Sequence, residues 1–141
     1  MPGYELFETT ADVGVRGYGS SLEEAFANAA KAMFSVMTDL SSVKPEREVF
    51  IEVEAEDEEA LLVEWLNELL ARSSIERMFF SEFKVEVRRL NGLFKLRAWA
   101  YGEPVDPLRH DLRTEVKAAT YAMIKVGKLN DEYVAQLLLD I

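Results

Sequence analysis

The sequence contains no cysteine, which removes disulfides, thiolate metal sites and cysteine nucleophiles at once. Histidine occurs once, at His110, so imidazole chemistry has a single source. No apolar run approaches the roughly 20 residues that a helix needs to cross a bilayer. The first residues, Met1-Pro2-Gly3-Tyr4-Glu5, lack the basic and apolar regions of a signal peptide, and the expected location is cytoplasmic. Positive charge is also scarce. Sixteen Lys or Arg stand against 26 Asp or Glu, a formal net charge of −10. That balance argues against general binding to a phosphate backbone, which Lys and Arg drive by neutralising phosphates.

Hydrophobic residues make up 49% and charged residues 30%, an ordinary composition for a globular chain. Its 141 residues are expected to form one domain, residues 1–141, large enough to bury a real core. The charge is unevenly spread. Residues 84 to 128 carry ten Lys or Arg and five Asp or Glu, leaving six basic and twenty-one acidic residues elsewhere. A local basic surface on an acidic body suits a specific anionic partner, and equally a solvated charged sheet face.

Along the chain, Tyr4 to Thr9 and Val13 to Tyr18 read as short strands around Thr10-Ala11-Asp12. The glycines at 14, 17 and 19 do not match the dinucleotide-binding fingerprint, which opens a helix after one strand. Ser21-Leu22-Glu23-Glu24 is a capping box, followed by Leu22, Ala25, Phe26, Ala29, Met33, Val36 and Met37 at helical spacing. Both methionines read as core. Glu48 to Glu56 alternates apolar and acidic residues, the pattern of a half-buried strand. Asp57 caps a second helix with an apolar stripe of Leu62, Trp65, Leu66 and Leu69.

Asn91-Gly92 is the strongest local signal, a two-residue hairpin turn. It predicts a register in which Val87 faces Leu96, Val85 faces Ala98 and Phe83 faces Ala100. On the other side Glu86 meets Arg97 and Lys84 meets Trp99, while Arg88 is set against Lys95. Like charges directly opposite are destabilising, so the face bearing Lys84, Arg88, Lys95 and Arg97 is a candidate docking surface for an anionic partner. Glu115 to Val126 mixes helix formers (Ala118, Ala119, Ala122) with strand formers (Thr120, Tyr121, Ile124, Val126) and stays ambiguous. Tyr133 to Leu139 reads as a buried strand. The expected fold is α+β and two-layer, with two helices packed on one face of a largely antiparallel β-sheet.

Chemistry is sparse. His110, beside Asp111 in a polar stretch, reads as an exposed loop histidine with no nucleophile motif to serve. Asp140 and the terminal carboxylate of Ile141 put two anionic groups at the end of a predicted core strand. If Asp12 came alongside, three oxygen donors would favour a hard cation such as Ca²⁺ or Mg²⁺. The plainer reading is an exposed chain end with a stray aspartate.

Five segments together resemble the archease family. They are Thr10-Ala11-Asp12-Val13-Gly14, Ser21 to Asp39, Leu61 to Leu70 (LLVEWLNELL), Val116-Lys117-Ala118-Ala119-Thr120-Tyr121, and Leu139-Asp140-Ile141. Each is weak alone, and the set in order covers almost the whole chain. The resemblance implies a non-catalytic protein cofactor of the RtcB-type tRNA-splicing RNA ligase. Such a cofactor promotes the ligase's metal-dependent guanylylation and multiple turnover, and meets nucleic acid only through the ligase. It also implies a divalent cation, calcium most of all, on Asp12, Asp140 and Ile141. Asp12 and Lys117 are implied to be needed for activation, and the Glu115 to Val126 stretch to be strand. The family usually has a histidine where this chain has Thr9 and another where it has Ala122. Two other classes compete: a chaperone-like modulator of RNA-modifying enzymes, and an autonomous metal-dependent phosphohydrolase using Asp12 and Asp140.

Overall fold

The computed structural model describes residues 3–141. Strands β1 (Tyr4–Glu8) and β2 (Val13–Gly19) form a hairpin, followed by helix α1 (Leu22–Met37) and a 3-10 turn at Leu40–Ser42. Strand β3 (Arg47–Ala55), helix α2 (Glu58–Glu76), strand β4 (Met78–Leu90) and strand β5 (Leu93–Pro104) come next. The chain closes with β6 (Ala118–Ala119), β7 (Lys125–Leu129) and β8 (Glu132–Asp140). All pairings are antiparallel. The α+β class is as expected, but the strands divide into two sheets, one ordered β1-β2-β8-β6 with β7 also on β8, the other β3-β5-β4.

Local chemistry accounts for the helix starts. Ser21 accepts from the Glu24 amide at 3.1 Å while Glu24 accepts from the Ser20 amide at 3.1 Å. These bonds satisfy amides that the helix leaves unpaired. Asp57 does the same for α2, accepting from the Ala60 amide at 2.7 Å. Both helices lie against both sheets, α1 on β2, β8 and β4, α2 on β3, β5, β6 and β7. The core they share is continuous. It includes Phe26, Met33, Phe34, Trp65, Phe80, Leu96 and Leu137, all fully buried, while Met37 is only partly so. Trp65 satisfies its indole N–H on the Phe26 carbonyl at 3.0 Å, joining α2 to α1. At Gly17 a β-carbon would stand 2.3 Å from the Ala25 carbonyl oxygen and the Ala29 nitrogen. That glycine therefore lets α1 rest on β2, a packing role in place of nucleotide binding.

The Asn91-Gly92 turn has φ of 52° and 80°, the left-handed pair of a type I′ hairpin. Its register is the predicted one throughout: Val87 with Leu96, Val85 with Ala98, Phe83 with Ala100, and Arg88 with Lys95.

Glu115 to Val126 becomes neither a helix nor one strand. Residues 111–117 have no regular structure, and only Ala118–Ala119 and Lys125–Leu129 bracket a turn as strand. The amides of Arg113 and Thr114 donate to the Met37 and Val36 carbonyls at the end of α1. The Thr120 hydroxyl takes the Leu138 carbonyl at 2.9 Å, and Met123 has a φ of 52°. Backbone groups engaged outside the segment cannot make a helix, and a left-handed residue interrupts a strand.

Candidate functional site

Three strands end together. β2 and β8 pair through Val13 opposite Leu139, and one residue further along that register Asp12 lies opposite Asp140. β6 pairs with the other edge of β8 through Ala118 opposite Asp140, which sets Lys117 opposite Ile141. The Lys117 amide donates to the Asp140 carbonyl at 2.8 Å. The four residues singled out from the sequence, Asp12, Lys117, Asp140 and Ile141, thus occupy one end of one sheet. Lys117 and Asp140 are exposed, Asp12 and Ile141 half-buried.

Each strand is fixed by its own device. Thr9 closes the turn before Asp12: its hydroxyl donates to the Asp12 carbonyl at 3.1 Å and accepts from the Asp12 amide at 3.2 Å. The residue standing in place of the family's usual histidine therefore shapes the turn that presents Asp12. Asn67, on α2, grips β6 with both ends of its amide, donating to the Ala119 carbonyl at 3.1 Å and accepting from the Ala119 amide at 2.8 Å. Asn67 holds the strand that carries Lys117. Nothing in the sequence set Asn67 apart from the neighbouring polar residues Glu64 and Glu68 of the same helix. A groove of about 580 Å³ runs beside this grip, between the C-terminal half of α2 and Glu115-Val116-Lys117.

The donor set at this end is oxygen only. Among the described residues no group of three or more His, Cys, Asp or Glu side chains is arranged to hold a metal. Asp12 and Asp140 supply two carboxylates on adjacent strands. This set fits a hard cation that keeps several waters, and does not fit one needing nitrogen or sulfur.

The hairpin face is less available than its charge count implied. Lys95 pairs with Glu54 at 3.9 Å and Arg97 with Glu52 at 3.7 Å, and Lys84 lies 5.4 Å over the Trp99 ring. The acidic row of β3 thus lies beside Lys95 and Arg97 on β5, while Arg88, on β4, has no ion pair among the described residues.

His110 is buried, 4% exposed, and corrects the reading of an exposed loop residue. Its Nδ1 accepts the Asp106 amide at 2.8 Å, so the other nitrogen carries the proton and donates to Glu103 Oε2 at 3.0 Å. Glu103 also accepts the Lys44 amide at 2.8 Å and pairs with Arg109. The Arg109 guanidinium, then the Lys44 amide and His110, hold the Glu103 carboxyl down at about 2 against the opposing effect of burial. Among the described residues the ring bonds only to the Asp106 amide and Glu103, and no serine hydroxyl reaches it. The short Asp106 to His110 turn gave no sequence signal of burial: Pro107, Leu108 and Arg109 are exposed, and His110 alone turns inward onto Glu103.

Residues 4–141 match the model of the Archease protein family (MTH1598/TM1083). The chain is 45% identical over 142 positions to the archease of Pyrococcus furiosus, and 41% identical over 141 positions to that of Methanothermobacter thermautotrophicus, the whole of each chain being covered. Its fold matches the solution structure of Methanobacterium thermoautotrophicum protein 1598 with a TM-score of 0.87 at 39% identity, again over both whole chains. A Thermotoga maritima archease, described as a possible chaperone, matches in fold with a TM-score of 0.61 at 18% identity, over 96% of this chain and 94% of that one.

Proposed function

The chain belongs to the archease family, and on that premise we propose that it activates an RtcB-type tRNA-splicing RNA ligase without catalysing ligation itself. The observation that carries this reading is the convergence of Asp12, Asp140 and Lys117 at the shared end of β2, β8 and β6. Those residues form a small, open charged corner with no hydroxyl or thiol nucleophile among them. Such a corner acts by completing a site on another protein.

In this proposal Asp12, Asp140 and the carboxylate at Ile141 hold a divalent cation, calcium by the family resemblance. Those residues would hold the ion, and a divalent cation bound there would supply charge neutralisation and Lewis acidity. Lys117, a flexible point charge next to that corner, binds a ligase carboxylate or a nucleotide phosphate. Thr9 and Asn67 keep Asp12 and Lys117 in register with one another.

The test is guanylylation of the purified ligase by GTP, with and without this protein. Faster guanylylation and multiple turnover are expected only when both proteins are present. Ligation or GTP consumption by this protein alone would instead support the phosphohydrolase reading. Protection of unrelated RNA-modifying enzymes from aggregation, with no effect on the ligase, would support the chaperone-like one.

A further inference from the structure

Between β6 and β7 the chain makes the turn Tyr121-Ala122-Met123-Ile124, closed by the Ile124 amide on the Tyr121 carbonyl at 3.3 Å. Tyr121 is 57% exposed and Met123 55%. Single exposed apolar residues are common on protein surfaces. This pair differs in how it is held. The Leu138 amide donates to the Ala122 carbonyl at 3.1 Å, the Thr120 hydroxyl to the Leu138 carbonyl at 2.9 Å, and the Gln136 side-chain amide to the Met123 carbonyl at 2.9 Å. Gln136 is itself 3% exposed and fixed from its other side by Arg16 at 2.6 Å.

The third position of the turn is left-handed, with φ of 52° at Met123, where glycine is the favoured residue. A methionine there strains the backbone and adds nothing to the core. A buried glutamine therefore holds a strained turn that displays two large apolar side chains to solvent. Strain of this kind is a pointer to function.

The charges around the turn indicate what it meets. Lys117 before it and Lys125 after it are both exposed, and neither has an ion-pair partner among the described residues. Tyrosine and lysine together also suit a nucleic-acid base and its phosphate. Asp140, paired with Ala118 two residues before Thr120, and the net charge of −10 oppose that choice.

We infer that the Tyr121-Met123 turn is an apolar anchor that enters a hydrophobic pocket with an acidic rim on the protein partner of the Asp12-Lys117 corner. This rests on the ligase reading given above. Tyrosine supplies rigid contact area and methionine an adaptable one. The flanking lysines meet the acidic rim and orient the approach.

The test uses the wild-type protein, Tyr121→Ser and Met123→Gly, with the purified RtcB-type ligase of the same organism as the probe. Affinity and melting temperature are both recorded. Met123→Gly should melt at or above the wild-type temperature, because glycine takes the left-handed conformation freely. Its affinity for the ligase should nevertheless fall about tenfold or more, as expected for an interface anchor. Tyr121→Ser should show the same loss at an unchanged melting temperature. Wild-type affinity in both variants overturns the anchor and leaves the ligase reading intact, whereas no binding by the wild type overturns both. Loss of RNA binding with ligase binding preserved also overturns it, making the turn a base-stacking element.

Discussion

The charged clusters around Glu103 and at the Asp12 end differ in whether their groups are satisfied from within. At Glu103 every strong group has a partner in the same chain: Arg109, His110 and the Lys44 amide surround one carboxylate. At the Asp12 end the two carboxylates sit on adjacent strands and the nearby lysine carries no ion pair among the described residues. A saturated cluster ties the loop after β5 to the start of β3 and is stabilising. An unsaturated cluster at a sheet end has charge left over for something outside the chain. From the sequence, His110 read as an exposed loop histidine and Asp140 as either a cation ligand or a stray aspartate at a chain end; only partner geometry separates the two clusters.

The largest expected effect breaks the saturated cluster. Glu103→Ala leaves the Lys44 amide and the His110 ring N–H buried without an acceptor, and should destabilise the fold by roughly 2–4 kcal/mol. Arg109, its side chain 39% exposed, contributes least because water replaces its partner. Urea unfolding measures this loss, and ligase activation by the molecules that remain folded should be unchanged.

The converse variant sharpens the contrast. Asp12→Asn should leave the melting temperature within about 2 °C in the absence of divalent cations, since an exposed or half-exposed substitution outside the core shifts stability by about 0.5 kcal/mol or less. It should reduce ligase activation at least about tenfold, the loss expected of a group acting at a reacting centre. Lys117→Ala should behave in the same way with a smaller loss. Activation assays beside thermal melts give both readouts.

A pH titration separates the clusters without mutation. Glu103 is held at about 2, below its ordinary 4.5, so its contribution is complete above about 4.5. As pH falls from there towards 2 the unfolded chain takes up the proton first and that contribution is lost. The melting temperature should therefore fall across this window, and Glu103→Gln should flatten part of the fall. A slope identical in the two proteins would mean that other carboxylates dominate.

The smallest effect is expected on the hairpin face. Replacing Arg88 and Lys95 together by Gln should alter ligase association at low salt only slightly, because Glu54 already pairs with Lys95 and Glu52 with the neighbouring Arg97. A large, salt-dependent slowing measured by stopped-flow would restore that face as a docking surface.

How much of this was legible in the sequence follows the range of each interaction. Capping boxes, alternation and the Asn91-Gly92 turn act over a few residues, and they gave both helices, β3 and the hairpin register correctly. Asp140 and Ile141 stood out as adjacent anionic groups, but joining them to Asp12 and Lys117 came from the family resemblance, since these residues are far apart in sequence. Their meeting depends on β2 and β6 flanking β8, which no local pattern encodes. The division into two sheets and the broken path of residues 111–124 were invisible for the same reason. There the chain is shaped by the end of α1, by Leu138 and by Gln136, all distant in sequence. His110 was misread because a polar neighbourhood signals exposure unless a buried carboxylate is known to be waiting for it.

The most direct test of the account is multiple-turnover RNA ligation by the purified ligase, with wild-type protein, Asp12→Asn and Glu103→Gln supplied at equal folded concentration. The account predicts that Glu103→Gln sustains turnover like the wild type while Asp12→Asn leaves the ligase at its unassisted rate. Equal support from all three proteins would contradict it.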